Sequence, residues 1–448
     1  MRATLSMRNS ASKKQREAVC HYLLIYLMVA FADSFLYDRI LTNIVIPVMA
    51  LIALIVMANR KYQLVYPISI LALGFLAMLF VRVSTNALGP TELLSWVAMV
   101  GITLIAVMFD VSSFLIRFIK LAAFLTGFSL VVYLISQVFP GVWGHLSPFS
   151  FFLSFGDTTW LDSVNRIVVN YRADGLLLYV DRGFDHTRNV GIFREPAVYQ
   201  ILLNSAIFVL LFMKPKEIDK KTCARLLALF VAGVLSTKSA TGYATALLVF
   251  FAYSLSSLKK GNRVSAIAPI FLGSICVFVF IASAMGSSAW ATDSVLGRFM
   301  NDGGFSLDAS GEARVGAANA ALALMQRYPF GCGYNVYGAA ISTGNSEFVG
   351  ACLLKVAAVY GPIMGIAILI WTCYPVFKSR ELGLSAKLAF VAMYLIATYL
   401  ECEVFYTTLI FIPIYLYCKN VAETSVQPMR AAASSFGVLR EARYQPRP

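Results

Sequence analysis

An arginine and a carboxylate stand side by side at Arg194-Glu195, and Pro196 leads from them into a long apolar run. Charged groups near hydrocarbon lose hydration, so such a pair persists where it is satisfied or used. A guanidinium suits the stabilisation of charge developing on a phosphate, because its planar fork binds oxygens at two points. A carboxylate suits the work of a general base that accepts the proton of an attacking hydroxyl. Proline fits the first turn of a helix, which puts Glu195 at that helix's positive end. The plainer reading is an ion pair that caps a helix, with Glu195 only orienting Arg194.

A second constellation, Ser310-Gly-Glu312-Ala-Arg314, lies about 120 positions further on. Ser310 suits a helix cap with Glu312 in the first turn, and Pro329 with Gly331 ends the helix. Val315, Leu322 and Met325 fall on one face, and the alanines between them permit close packing. Read alone, this is a structural amphipathic helix that carries Arg314, with Arg327 in its last turn.

The elements that position these residues follow from composition. Hydrophobic residues make up 59% of 448 and charged residues 13%, which marks a multi-pass membrane protein. The expected fold is all-α, with about twelve transmembrane helices and two long periplasmic loops containing short helices. Spans are predicted at 19–36, 41–58, 63–81, 92–109, 118–139, 197–213, 224–237, 239–258, 264–284, 349–376, 384–400 and 403–418, with a kink at Gly361-Pro362 in the tenth. The division is a cytoplasmic segment 1–18, spans one to five over 19–139, and a loop 140–195. Spans six to nine cover 196–284, a second loop 285–348, spans ten to twelve 349–418, and a basic cytoplasmic tail 419–448. The run after Arg2, Arg8, Lys13, Lys14 and Arg16 lacks a cleavage signature, so it reads as an uncleaved first span.

Lysine and arginine gather on alternate connections, from Arg60-Lys61 through Lys214–Arg225 and Lys259-Lys260 to the tail. That bias puts both termini in the cytoplasm and both long loops outside. It also accounts for the net charge of +14 without nucleic acid, because the basic residues are scattered with no aromatic-interleaved face. In the two long loops every basic residue is arginine: Arg166, Arg172, Arg182, Arg188, Arg194, Arg298, Arg314 and Arg327. An arginine-only set at a membrane face suits an anionic, lipid-proximal substrate, and the plainer reading is ion pairing with the aspartates of the first loop. The eight cysteines lie mostly in or beside spans and form no C-x-x-C pair, and no H-E-x-x-H or phosphate-cradling glycine loop occurs. Nothing in the spacing calls for a metal or another cofactor. His21 sits at the inner edge of the first span with no role assigned to it.

Gly191-Ile-Phe-Arg194-Glu195-Pro196, Ser236-Thr-Lys238-Ser-Ala-Thr-Gly242-Tyr243, Ser310-Gly-Glu-Ala-Arg314, Tyr328-Pro-Phe-Gly331-Cys-Gly333 and Tyr360-Gly361 occur in that order. In motif order and topology the chain resembles the bacterial O-antigen and exopolysaccharide repeat-unit polymerases of the O-antigen ligase superfamily. The motifs cover about 188–370. The resemblance implies an inner-membrane glycosyltransferase that uses neither metal nor nucleotide sugar. Such enzymes transfer a growing glycan from undecaprenyl pyrophosphate onto the next lipid-linked repeat unit at the periplasmic face. Its partners would be that lipid-linked oligosaccharide, membrane lipids, a chain-length regulator and a flippase. On this reading Arg194, Glu195 and Arg314 are catalytic, with Glu312 and Glu347 as further candidates for the base. Arg188, Lys238, Glu312, Arg327, Tyr334 and Asn345 line the substrate. Ligases of the superfamily carry a histidine before the span that follows the second long loop. Here that stretch reads Gly344-Asn345-Ser346-Glu347, and no histidine follows His186. A transporter or flippase of the same glycan is the competing class, although no repeat relates the two halves of the chain.

Overall fold

The structure is a computed structural model. It describes residues 2–32, 90–139, 188–193, 195–259, 309–342, 351–400 and 404–421, with short pieces within 69–75, 158–181 and 300–305. The described residues are predominantly helical. In chain order the helices are α1 (Arg2–Ala30), α2 (Pro90–Phe109), α3 (Val111–Val138), α4 (Pro196–Phe208), α5 (Lys220–Ser236) and α6 (Ala240–Lys259). They continue with α7 (Ala309–Arg327), α8 (Gly333–Ser342), α9 (Cys352–Tyr360), α10 (Pro362–Lys378), α11 (Leu384–Leu400) and α12 (residues 407–421). Among the described residues, three helical stretches are long and apolar enough to cross a membrane: Val111–Val138, Pro196–Met213 and Thr241–Lys259. Shorter apolar helices run over Ser95–Phe109, Pro362–Lys378 and Leu384–Tyr399. The spans predicted at 41–58 and 264–284 lie outside the described residues.

The boundaries have local causes. Asp110 starts α3 by accepting the Ser113 backbone N–H at 3.2 Å, and Asp219 starts α5 by accepting those of Lys221 and Thr222 at 3.1 and 3.3 Å. Pro196 opens α4 at its first position. α4 then runs into a π turn, Val209–Met213, closed by the Lys214 N–H on the Val209 carbonyl at 3.0 Å.

α4 is the wrapped helix of the bundle: 78% of Pro196–Met213 is buried, against 39% of α3's most apolar window. It packs on α5 and α6, and α6 packs on α11. Aromatic side chains tie the other helices together. Phe118 meets Phe411 at 4.3 Å between ring centroids, and Phe405 receives Trp96 and Trp371 edge-on, each at 5.5 Å. The Thr407 hydroxyl donates to the Met28 carbonyl at 2.5 Å, joining the first helix to the last. On the outside, α3 shows Phe124, Phe128, Val131, Ile135 and Val138 in one stripe, and α10 shows Ile363, Ile366, Ile370, Tyr374 and Phe377 in another. Stripes of this kind cost free energy in water and none in hydrocarbon.

One feature differs from the sequence expectation. The segment 349–376 is not one kinked span. In a continuous helix residues 357 and 365 would lie about 12 Å apart along the axis. Here a Cβ on Gly365 would fall 2.8 Å from that of Ala357, so α9 and α10 turn back on each other at Gly361, where φ is +94°. The described pieces of the first long loop include two short antiparallel pairs. Thr158–Leu161 pairs with Ile167–Asn170, and Arg172–Asp174 pairs with Tyr179–Asp181. The β-branched run Ile167-Val168-Val169 favours a strand. As the alanine-rich sequence allows, α7 packs through Ala317, Ala318 and Ala321, leaving Val315 and Leu322 exposed. Small residues permit the closer approach of two helices, so the alanine face takes the contact and the larger side chains turn out.

At the other end of the bundle, His21 is buried and bonded. Its Nε2 lies 2.9 Å from the Ala106 carbonyl, which only accepts, so Nε2 carries the proton. Nδ1 then accepts from the Arg117 guanidinium, which also pairs with Asp110 at 3.2 Å. A residue that the sequence left without a role joins α1, α2 and α3.

Candidate functional site

Two junctions bring the sequence motifs together. At the first, the segment 188–193 lies against the turn between α5 and α6. The Asn189 N–H donates to the Ser236 carbonyl at 2.9 Å. Its side-chain amide donates to the hydroxyls of Ser236 at 3.0 Å and Ser129 at 3.3 Å, and its Oδ1 accepts the Gly191 N–H at 3.0 Å. Ser129 also shares a 2.7 Å bond with the Tyr199 hydroxyl. Asn189, Ser129, Ser236 and Tyr199 are all buried, so this network is electrostatically stronger than it would be in water. Gly191 (φ +61°) crosses the Tyr199 ring so closely that a Cβ would meet it at 3.0 Å.

The turn itself is constrained. Lys238 has a left-handed backbone (φ +47°), a conformation that a non-glycine residue adopts at a cost. Arg188 holds it there, donating from Nε to the Thr237 carbonyl at 3.1 Å and from Nη2 to the Lys238 carbonyl at 3.2 Å. Two of the arginine's nitrogens therefore bind backbone and clamp the Lys238 turn. Ser239 caps α6 by accepting the Gly242 N–H at 3.3 Å. Gly242 lets α4 approach: a Cβ there would lie 2.9 Å from Gln200 Cβ, and Asn204 donates to its carbonyl at 3.2 Å.

Glu195 stands at the outer lip of this junction, half-buried, with an extended backbone (φ −126°, ψ 138°). Its carbonyl accepts the N–H groups of Val198 and Tyr199, both at 3.2 Å. Its carboxylate makes no cap bond to the helix. The backbone does the capping, and the carboxylate stands at the positive end of α4. Arg194 lies outside the described residues.

At the second junction the motif 328–333 seats on the α9–α10 reversal. The Cys332 N–H donates to the Ala358 carbonyl at 2.9 Å. Gly331 (φ +105°) passes the chain so tightly that a Cβ would lie 2.6 Å from the Val359 carbonyl oxygen and 2.9 Å from the Gly361 nitrogen. Cys332 is buried, and burial pushes its thiol up, away from the reactive thiolate. Tyr334 stacks edge-on to Tyr360 at 6.4 Å, and Tyr360 meets Trp96 at 5.5 Å. The Lys355 ammonium lies 5.0 Å from the Tyr334 ring centre. One face of Tyr334 is thus engaged by a lysine of α9, whose place in the site the sequence did not indicate.

The remaining candidates fall as follows. Glu312 and Arg314 lie in the first turns of α7, which packs on α9. Arg327 ends α7, exposed, 5.5 Å from the Tyr328 ring centre. Asn345 and Glu347 lie outside the described residues. Asn189 was not a sequence candidate, and its only signal was a polar residue four positions before an aromatic in a glycine-containing segment. No family model, curated protein or solved structure matches this chain.

Proposed function

We propose that the chain is a polymerase of lipid-linked oligosaccharide repeat units, acting at the periplasmic face of the bacterial inner membrane with both termini in the cytoplasm. What supports the reading is the pairing of the motifs that carry the resemblance. The Glu195 segment rests on the Lys238 turn, and the Gly331 segment rests on Tyr360-Gly361. Segments tens of residues apart that meet in loop-to-helix junctions are the usual way a rigid scaffold builds a site.

In the proposed reaction a hydroxyl at the non-reducing end of the incoming repeat unit attacks the anomeric carbon of the growing glycan. The bond from that carbon to the undecaprenyl pyrophosphate oxygen breaks. A glycosidic bond forms, and the electron pair leaves on the pyrophosphate. Glu195 takes the hydroxyl proton, and Arg194 and Arg314 stabilise the charge on the leaving phosphate. Arg188 holds the Lys238 turn that faces the same lip. A multi-pass topology supplies the membrane frame, with loops 140–195 and 285–348 outside.

The test gives purified protein defined lipid-linked repeat units and sizes the products on a gel. A ladder of lengths is expected from the wild type, and Glu195→Gln should abolish it while the protein remains folded. Glu195→Gln with a normal ladder would move the base elsewhere.

Transport of the same lipid-linked glycan is the second reading, and the α9–α10 break favours it, since carriers build sites from discontinuous helices. In a deletion strain, single repeat units accumulating outside the membrane support polymerisation, whereas retention inside supports transport.

A further inference from the structure

Below the first junction, α4, α6, α11 and α12 enclose a small cavity lined by Gln200, Asn204, Thr245, Met393, Ala397 and Leu409. Two polar atoms there are buried with no partner: Asn204 Oδ1 and Thr245 Oγ1. Asn204 is 0% exposed and Thr245 4%. The amide orientation is fixed by its surroundings. The Asn204 nitrogen lies 3.2 Å from the Gly242 carbonyl, which can only accept, and 2.8 Å from Gln200 Oε1. The nitrogen must therefore face those two oxygens, and Oδ1 must face the cavity. Thr245 has a helical carbonyl one turn back that a threonine hydroxyl commonly donates to, yet its hydroxyl is unpartnered.

An orphaned acceptor and an orphaned hydroxyl beside a cavity with room for about one water make a recognisable site. We infer that this cavity binds a single ordered water, which donates to Asn204 Oδ1 and exchanges a hydrogen bond with the Thr245 hydroxyl. Gln200, whose side chain also lines the cavity, gives the site a third polar wall. A dry cavity suits an apolar lining, whereas this one has a polar end that costs free energy if unpaired. A monovalent or divalent cation fits poorly, because two neutral oxygens fall short of the six or so that hard cations gather.

The site ties two motif-bearing helices together. Asn204 lies about 12 Å along α4 from Pro196, and Thr245 lies within the first turns of α6, just past the Lys238 turn. The water thus extends the direct Asn204–Gly242 contact deeper between the two helices. This inference stands on the helix packing and is independent of the proposed function.

The decisive variant is Thr245→Val, which keeps the side-chain shape and removes only the hydroxyl. If the water is present, the change strips one of its partners and the Tm of the protein in detergent falls by a few degrees. If the cavity is empty, the change removes an unpaired buried hydroxyl and the Tm rises. A high-resolution map of the full chain in a lipid nanodisc should show one density within hydrogen-bonding distance of both oxygens. An empty cavity in that map would also overturn the inference.

Discussion

The two junctions solve one problem by different means. Each fixes a connecting segment to the helical bundle, but the first does so through side chains and the second through bare backbone. At the first, Asn189, Ser129, Ser236, Tyr199 and Arg188 supply the bonds. At the second, Gly331 and Gly361 let two stretches of main chain approach until Cβ atoms are excluded, and an aromatic group packs beside them. A side-chain network gives a placement that single substitutions shift in small steps. A backbone contact has almost no such range, because any added atom meets an atom that cannot move aside.

Substitutions sharpen that contrast. Gly331→Ala should have the largest effect. It combines a left-handed backbone with a Cβ 2.6 Å from the Val359 carbonyl oxygen, and about 3 kcal/mol or more of stability should be lost. Thermal unfolding in detergent measures it, and a near-native Tm would show that the junction gives way easily. Asn189→Ala should cost about 2 kcal/mol, since it leaves buried hydroxyls and the Gly191 N–H without their partner. On the proposed function, its polymer ladder should shorten well before the protein unfolds. If ladder and unfolding change together, Asn189 only holds the fold. Tyr199→Phe removes one bond to Ser129 and should cost about 1 kcal/mol, with the Gly191 crossing kept because the ring remains.

The smallest effect lies far from both junctions and serves as a control. Burial tends to raise the Asp110 carboxyl, but hydrogen bonds from Ser112 and Ser113 and the charge of Arg117 outweigh it and hold the group below its usual value. A depressed carboxyl contributes stability that is present above its unfolded pKa and lost as pH falls through the folded one. Stability should therefore decline on acidification below about pH 4, and Asp110→Asn should flatten that decline, as unfolding scans across pH would record.

What the sequence disclosed was local. Apolar runs located α2 to α6 and α11, Pro196 marked the start of α4, and Pro329 with Gly331 marked the end of α7. What it hid depends on partners distant in the chain. Gly361-Pro362 reads as a kink, and the packing of Ala357 on Gly365 turns it into a reversal. The alanines of α7 signalled close packing, and Ala317, Ala318 and Ala321 make it, but the sequence did not say which helix they meet. Asn189 left no periodic trace because its partners lie 47 and 60 positions away, on either side of it. The hold of Arg188 on two carbonyls likewise left no trace in the sequence, because they lie 49 and 50 positions away.

The separations in that network also set an order in time. Arg188 precedes the carbonyls it clamps by 49 and 50 positions, so at ordinary synthesis rates it waits roughly 2–10 s before they exist. His21 waits longer for Arg117, 96 positions on. The Met28 carbonyl waits for nearly the whole chain, since the Thr407 hydroxyl that it accepts is 379 positions away. A nascent chain halted before α12 would therefore hold its first helix with a polar contact still unmade. The last helix to emerge completes the first.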